Sequence, residues 1–584
     1  MLFAASKKFA VYNSLKIVLK GENTFDFYGK GGGRYALETS ANTTIIGDAT
    51  GTSKLTSSAS FAGVHIYGDN TLMLGNVKLD VPYMSSSMLQ NASGKMESGT
   101  LVLDRGVEVN ARGNDSGNGT VRGMRINPAT ANLVVAVASD QNNPRFINNA
   151  EYGVYESETK LATGAVTLST MSDVTLYPLT ICGQRVHSLN CKNPINEYVK
   201  SGKLVYAPDE HSLYMDNAVL SVDGYSGDVL YWNSPGKLTI GLIGESKINN
   251  CKGKALISDG PVDVRSALHD NQKLVVTGTG GMMTVGGDKT LNLNLVEVSV
   301  PEIQAGRVEL IGTKQVDVTR KFNATTCELG MVKVASTVEA PAYYDAEKGT
   351  VVATKGPASF FHSSLVTVFP GINFFGGEVN SINHTCLMSK DVTGGQIMVR
   401  QEDANGFVID MRGAQVWSKS VENMFSLTSE GTSNINIHGY NYIDLTGIDS
   451  HFVMSNMKNL YICGYDDEPN PSLTVNGKGK ANNSGAIAVA KGSKLCFQSN
   501  LSQVFDANIQ RIYGMGDNGV NTKLIVEKPY LTVIGSSDGT VSNISVETVG
   551  AELFARPRSH VPWSLAMPAR STAYIRKTTS APAW

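Results

Sequence analysis

The residues with the most recognisable catalytic spacing lie near the C-terminal end of the chain. Gly535-Ser536-Ser537-Asp538-Gly539 matches G-x-S-x-G, the pattern that places a nucleophilic serine on a sharp turn between a strand and a helix. A strand-like run at 530–534 precedes the motif, but residues 540–546 alternate apolar with polar and predict another strand. Because no helix follows, the sequence predicts an ordinary turn here.

Acidic residues occur in two groups that could do other chemistry. The loop Tyr465–Pro471 carries acidic residues at positions 466 to 468, whose oxygens could bind calcium, but it lacks the spacing of an EF-hand. Arg265 lies near Asp259 and Asp263, a combination that a lyase could use and that also arises by chance. We interpret the loop as a solvated insertion, and we predict no catalytic residue, metal or cofactor.

Aromatic residues suggest binding. Their rings can stack on sugar rings while Asn, Asp and Ser side chains bond to sugar hydroxyls. The chain has 22 tyrosines, and the candidate binding residues crowd together at Tyr214, Tyr225, Tyr231 and Trp232. The alternative is that several of these four side chains fill the core or a corner of the fold.

The composition favours short strands joined by turns. Only 17% of the 584 residues are charged, against about 25% in average globular proteins, and glycine contributes 59 residues. Glycine and asparagine accept the backbone angles of tight turns. The net charge of −2 argues against nucleic-acid binding, which needs a basic face. No run of 18 apolar residues predicts a membrane-spanning helix.

The elements that must position these side chains repeat along the chain. Residues 14–25, 237–248 and 434–443 each alternate apolar with polar residues, meet a glycine and resume with an apolar residue. Shorter copies recur throughout. Self-similarity of this kind is typical of stacked architectures, in which each unit buries its apolar face against its neighbours. We expect the glycine to mark a corner, and we expect these residues to point inward: Leu15, Ile17, Leu19, Leu238, Ile240, Leu242, Leu274, Val276, Leu473 and Val475.

A longer repeat combines a strand, a polar turn and a second strand. Residues 126–135, 206–215 and 344–353 align without a gap in this pattern. In the second copy, Leu179-Thr180-Ile181-Cys182-Gly183 precedes the repeat and Asp216-Asn217-Ala218 follows it. These segments predict the boundaries of larger modules.

These motifs resemble modules in secreted proteins of gut bacteria, some of them related to a carbohydrate-binding β-helix family. The resemblance covers most of residues 10–550 and is clearest from Leu179 to Val300. It implies an all-β fold, a right-handed parallel β-helix or β-solenoid with a pectate-lyase-like superhelix, in two or three stacked modules. β-Helix enzymes that cut pectin carry N-T-D, D-D, G-H-G and R-I-K motifs, of which only Asp466-Asp467 occurs here.

We predict modules at 1–177, 178–340 and 341–555, followed by a disordered tail at 556–584. The first module should be truncated at its N-terminus, with a secretion signal missing. One segment, Ser499 to Gln510, has apolar spacing compatible with a helix or with a strand and a long turn. The seven cysteines fit no zinc-binding spacing, and Cys182 and Cys191 could form a disulfide.

Two functions are compatible with this sequence. The first is a non-enzymatic, monomeric, secreted or cell-surface β-solenoid of bacterial origin, acting as an adhesin or glycan-binding scaffold with a polysaccharide or host glycan as partner. The alternative is a polysaccharide lyase or glycoside hydrolase on a parallel β-helix. An enzyme should place two or three carboxylates, or Arg and Lys beside Asp, on one face of neighbouring strands. The sequence names no ligand.

Overall fold

The computed structural model of the chain describes residues 14–25, 35–57, 63–87, 89–90, 96–113, 118–130, 133–170, 174–268, 270, 272–447, 450–465, 467–468, 470–477, 485–499, 505–515, 522–527, 530–534, 541–549 and 552–556. Among these residues every regular element is a strand, apart from single 3-10 turns at Pro208–Glu210 and Ser363–Leu365. The strands form several sheets, and most pairings are parallel. The prediction of an all-β chain built from parallel strands is confirmed.

Three successive strand ladders make up most of the chain. The strands of the first ladder (residues 14–170) are β1 Ser14–Val18, β2 Glu22–Phe25, β3 Tyr35–Thr39, β4 Asn42–Ile46, β5 Lys54–Ser57, β6 Gly63–Ile66, β7 Thr71–Gly75, β8 Lys78–Val81, β9 Met84–Ser86, β10 Leu89–Gln90, β11 Met96–Glu97, β12 Gly99–Leu103, β13 Glu108–Ala111, β14 Val121–Arg122, β15 Met124–Pro128, β16 Val135–Val137, β17 Phe146–Asn148, β18 Gly153–Tyr155 and β19 Val166–Thr170.

The strands of the second ladder (residues 176–311) are β20 Leu176–Ile181, β21 Gln184–His187, β22 Val199–Ala207, β23 Ser212–Ser221, β24 Leu230–Trp232, β25 Leu238–Ile243, β26 Glu245–Asn249, β27 Leu256–Ser258, β28 Val262–Ser266, β29 Gln272–Val276, β30 Met282–Val285, β31 Thr290–Asn294 and β32 Val296–Ile311. Five further strands follow it: β33 Gln315–Glu328, β34 Val332–Ala335, β35 Ala342–Asp345, β36 Thr350–Ala353 and β37 Ala358–His362.

The strands of the third ladder (residues 368–556) are β38 Val368–Phe374, β39 Gly377–Asn380, β40 Val392–Asp403, β41 Gly406–Ser418, β42 Phe425–Leu427, β43 Thr432–His438, β44 Tyr440–Leu445, β45 Val453–Ser455, β46 Asn459–Gly464, β47 Ser472–Gly477, β48 Ile487–Val489, β49 Lys494–Ser499, β50 Asp506–Ile509, β51 Ile512–Gly514, β52 Lys523–Glu527, β53 Tyr530–Ile534, β54 Val541–Ser542, β55 Ser545–Val549 and β56 Glu552–Arg556.

Within a ladder, a strand pairs in parallel with the strand three places further along the chain, after the chain has passed through two other rows of strands. β25, β28 and β31 pair in parallel, and so do β26 with β29 and β27 with β30. In the third ladder, β43, β46, β49, β52 and β55 follow one another in the same way. We call one passage of the chain through the three rows of strands a rung. Successive rungs place residues side by side in register although these residues are far apart in sequence.

The inward residues form continuous apolar columns. In the second ladder, Ile240 lies in register with Val264, and Val264 with Leu293, and all three are buried. In the third ladder, Ile435 and Ile462 occupy the corresponding column. Each such side chain contributes roughly 1.5–3 kcal/mol through burial. The predicted inward positions are confirmed from Leu238 to Val475, whereas two residues of β1 are only half-buried, namely Leu15 and Ile17.

Glycines mark the corners where one sheet gives way to the next. Gly21, Gly244 and Gly439, which the repeat aligns with one another, have φ angles of +64°, +69° and +61°. Only glycine and a few short polar residues adopt such angles readily. The predicted role of this glycine is confirmed.

Two compact units divide the chain: Met1–Thr313 with Asn323–Thr325, and Lys314–Phe322 with Thr326–Trp584. The first two ladders lie in the first unit and the third ladder lies in the second. The module boundaries derived from the sequence stay a prediction, and the tail beyond 556 lies outside the described residues.

Three smaller predictions have different outcomes. The helix considered at 499–510 is wrong where the structure describes it, because residues 506–509 form strand β50. Cys182 and Cys191 are both free thiols. The G-x-S-x-G motif at 535–539 lies outside the described residues, and the strands Val541–Ser542 and Ser545–Val549 follow it.

Candidate functional site

The four aromatic residues predicted to bind do not form one surface. Trp232 points inward from β24, is completely buried and donates from its indole nitrogen to the Gly236 carbonyl at 2.8 Å. Its ring therefore has no face for a sugar, which corrects the prediction for this residue. Tyr231 is its neighbour on the strand and must point the opposite way. It is half-buried on the outer side.

Tyr225 and Tyr214 have separate surroundings. Tyr225 lies in a turn, where its hydroxyl donates to the Asp228 carbonyl at 3.3 Å and burial raises its pKa to about 12. Tyr214 points outward from β23 and donates to Glu210 at 2.8 Å. This bond is the main reason that the pKa of Tyr214 lies above its usual value. The binding role of Tyr214, Tyr225 and Tyr231 stays a prediction.

An exposed aromatic surface does occur, but in the third ladder. Trp417, Tyr440 and Tyr442, which we call the aromatic platform, point outward from β41 and β44. The rings of Trp417 and Tyr442 are 5.1 Å apart, and those of Tyr440 and Tyr442 are 6.5 Å apart and nearly parallel. Trp417 is 51% exposed and Tyr440 is 56% exposed. Large aromatic side chains grouped at such exposure are typical of interaction surfaces.

The strand pattern explains how the platform is built. On β44, residues Asn441 and Ile443 point inward and are buried, which leaves Tyr440 and Tyr442 on the outer side. β41 pairs in parallel with β44, with Trp417 opposite Asp444. The Tyr442 hydroxyl accepts a hydrogen bond from Asn476 at 3.1 Å. The rings are therefore held on a rigid sheet.

Beyond the Gly439 corner, the outer side of the adjacent sheet carries charged and polar residues. We call this group the polar row: Arg400, Asp410, Arg412, Asn436, His438 and Asp467. Asp410 accepts from Asn436 at 2.8 Å and from Arg400 at 3.2 Å. His438 lies on the same strand as Asn436, and its Nε2 is 3.5 Å from Asp410. Neighbouring strands thus bring two carboxylates, two guanidinium groups and an imidazole together.

Asp467, the last member of the polar row, lies in the loop after β46. Its carboxylate accepts hydrogen bonds from His438 Nδ1 and, at 2.9 Å, from Arg412. The His438 bond, followed by that of Arg412, holds the pKa of Asp467 below its usual value, although burial opposes the shift. Tyr465 stacks on the His438 ring at 5.2 Å. Asp467 keeps 43% of its side chain exposed, which agrees with the interpretation of this loop as a solvated insertion, although two side chains from neighbouring strands bind its carboxylate. Asp466 lies outside the described residues.

The groups of the polar row hold one another in fixed hydrogen-bonding positions. Asp410 and His438 are buried, and both nitrogens of His438 face carboxylates. Burial raises the pKa of the Cys463 thiol to about 11 and that of Cys496 to about 12, which keeps both thiols protonated at neutral pH. The arrangement offers fixed donors and acceptors beside the aromatic platform.

The sequence contained only weak signals for either group. The nine histidines are scattered along the chain, and Trp417 is far from Tyr440 in sequence. The three rings meet because β41 and β44 pair in register. Knowing the rung length would have been enough to align these positions, because Gly413 and Gly439 mark the same corner on successive rungs.

Some classes of site are absent from the described part of the chain. No group of three or more His, Cys, Asp or Glu residues there is arranged to hold a metal ion. None of the described helical segments has the length and apolar character that crossing a membrane requires.

Comparison of the chain with protein-family models, with curated proteins and with solved structures gives no match in any of the three. The candidate site therefore has to be interpreted from its own chemistry.

Proposed function

We propose that this chain is a non-enzymatic β-solenoid that binds glycans, as an adhesin or a glycan-binding scaffold. The observation that carries this proposal is the aromatic platform. Trp417 and Tyr440 expose about half of their surface on a face that strand pairing holds rigid. Exposed rings bind the apolar faces of sugars, and polar neighbours bond to the hydroxyls.

Rigidity favours such a function. A platform fixed by a parallel ladder loses little side-chain entropy when a ligand binds, which improves affinity for a given contact area. The polar row lies around the corner from the platform and offers donors from Arg400 and Arg412. A polysaccharide crossing this corner would meet rings on one face and charged hydrogen-bonding groups on the other.

The proposal extends to architecture and location. The parallel pairing of each strand with the one three places further along the chain favours a parallel β-helix. A right-handed coil is expected because crossovers between parallel strands are right-handed in about 98% of cases. The resemblance to modules of gut bacteria supports a secreted or cell-surface bacterial protein. We propose that it acts as a monomer.

The test is a binding comparison on the full chain. A glycan array identifies a ligand, and isothermal titration then compares the wild type with Trp417→Ala and Tyr440→Ala. We expect each change to weaken binding at least tenfold, which corresponds to about 1.4 kcal/mol. Tyr530→Ala is the matched control, because Tyr530 is exposed in the same outward row as Tyr440. Equal loss in the control, or none in the platform variants, would contradict the proposal.

A second candidate function rests on the polar row. Two carboxylates beside Arg side chains resemble the arrangement expected of a polysaccharide lyase or glycoside hydrolase, although one of them, Asp467, lies in a loop and not on a strand. Incubation with pectin, xylan and mucin glycans, with and without calcium, tests this alternative. Release of reducing ends or unsaturated sugars that Asp410→Asn abolishes would establish an enzyme. Binding without turnover favours the scaffold.

A further inference from the structure

We propose a second, separate saccharide-binding site on the outer side of the second ladder, centred on Asp263 and Asn292. These residues are in register on β28 and β31, so their side chains lie side by side on the same face. The site is independent of the aromatic platform, which belongs to the other unit of the chain.

Two unpartnered oxygen atoms point to a ligand. Asp263 Oδ1 and Asn292 Oδ1 are both buried and have no hydrogen-bond partner. Asp263 is only 6% exposed, and its other carboxylate oxygen accepts from Lys237 at 3.0 Å. Buried acceptors without donors destabilise a fold. Two of them on adjacent strands indicate a place where a ligand supplies the donors.

The surroundings define the chemical class of that ligand. Lys237 and Arg265 would repel a cation, and an acidic ligand would meet the Asp263 carboxylate. A neutral molecule with several hydroxyl groups fits, because hydroxyls donate to the two oxygens and accept from Lys237. The Tyr214 ring lies on the neighbouring row, where a Cβ on Gly241 would come within 2.7 Å of it. The site thus combines acceptors, a donor and a ring, as neutral sugars require.

The lysine that contacts Asp263 can move. Lys237 is 56% exposed at its side chain although its ammonium group contacts Asp263. Long lysine side chains change conformation at little cost when they are exposed. Displacement of Lys237 would open a route to Asp263 without disturbing a strand.

The test uses the full chain with the platform removed by Trp417→Ala, Tyr440→Ala and Tyr442→Ala. Xylohexaose, mannohexaose and cellohexaose are titrated calorimetrically into this protein. We expect at least one to bind, and Asn292→Val to weaken that binding at least tenfold while raising the melting temperature. The rise is expected because valine removes an unpartnered polar atom and suits a strand. Asn294→Val, on the same face of the same strand, should bind as before.

The remaining results would contradict this second site without contradicting the aromatic platform. If the platform-free protein binds none of the three sugars, or binds equally well with Asn292→Val and with Asp263→Asn, the second site is wrong. A melting temperature raised by calcium chloride alone, and not in Asp263→Asn, would show a cation site instead. None of these outcomes bears on the role of Trp417 in the intact chain, which the binding comparison with Trp417→Ala tests separately.

Discussion

The second and third ladders share a pattern of hydrogen bonds but carry different side chains on their outer sides. Four hydrogen bonds donated by backbone amides recur in both ladders. In one of them a backbone carbonyl accepts: Tyr206 to Cys191 and Val399 to His384. In the other three a side-chain oxygen accepts: Thr175 to Ser188 and Thr367 to Ser381, His187 to Asn190 and Asn380 to Asn383, and Ala218 to Ser246 and Ala414 to Asn441. These matches align Asn217 with Gly413, both at positive φ. The two ladders can therefore be compared position by position.

Inward positions agree and outward positions do not. Ile240 and Ile435 occupy equivalent positions in the buried columns of their own ladders. On the outer side, Tyr214 corresponds to Asp410, and Ile243 to His438. At the platform positions the second ladder has small or charged residues. Ser221 is equivalent to Trp417, Glu245 to Tyr440 and Lys247 to Tyr442. The buried inward residues therefore determine the strand ladder, whereas the outward residues can differ between ladders and so form different binding surfaces.

The largest expected effect is at these equivalent inward positions. Ile240→Asp and Ile435→Asp should each destabilise the unit that contains them by about 4 kcal/mol or more, because each buries an unpaired charge. Urea unfolding of the full chain, followed by fluorescence and circular dichroism, measures both. Asn434→Asp, on the outer side next to Ile435, should cost less than about 1 kcal/mol. Equal costs for 434 and 435 would contradict the inward and outward assignment.

A smaller effect is expected at a pair of equivalent glycines. Gly202 and Gly395 have φ angles of +78° and +74°, and a Cβ on either would collide with the carbonyl oxygen of residue 217 or 413. Replacement by alanine should cost about 3 kcal/mol, combining backbone strain with a clash. Thermal unfolding of both variants tests this. Destabilisation of only one variant would show that the hairpin of β22 and β23 and that of β40 and β41 are not equivalent.

The smallest expected effect concerns acid. The pKa of Asp467 is lowered by His438 and Arg412, so its stabilising contribution is present at neutral pH and disappears as the pH falls through that lowered pKa. Because Asp467 is partly exposed, Asp467→Asn should cost less than about 1 kcal/mol at pH 7. In urea unfolding, the difference from the wild type should shrink as the pH falls below the usual pKa of an aspartate and vanish below the lowered pKa of Asp467. The equivalent of His438 in the second ladder is Ile243, so no such contact forms there.

Much of the fold could be predicted because its signals are local. Alternation with a period of two placed Leu238, Ile240 and Leu473 inward, and a glycine after the strand marked the corner. The same rule also limits the aromatic prediction: adjacent residues of a strand cannot both face outward, so Tyr231 and Trp232 could not share a surface. The apolar spacing at 499–510 was compatible with a helix or with a strand, and the structure shows a strand at residues 506–509.

The site could not be predicted in the same way. Trp417 meets Tyr442, and Asp410 meets Asn436, only because successive rungs stack in register. Register depends on the number of residues in each rung, and insertions such as the loop after β46 change that number. Asp467 therefore lies over His438 although no local pattern connects them.

The most direct test of the central claim exchanges outer residues while leaving the core intact. In the third ladder, Trp417→Ser, Tyr440→Glu and Tyr442→Lys together install the residues of the second ladder, where Glu245 and Lys247 form an ion pair at 3.4 Å. We predict an unchanged circular dichroism spectrum, a melting temperature close to that of the wild type, and loss of binding to the glycan that the wild type recognises. Retained glycan binding in this folded variant would contradict the assignment of binding to the aromatic platform, and unfolding of the variant would contradict the independence of core and outer face.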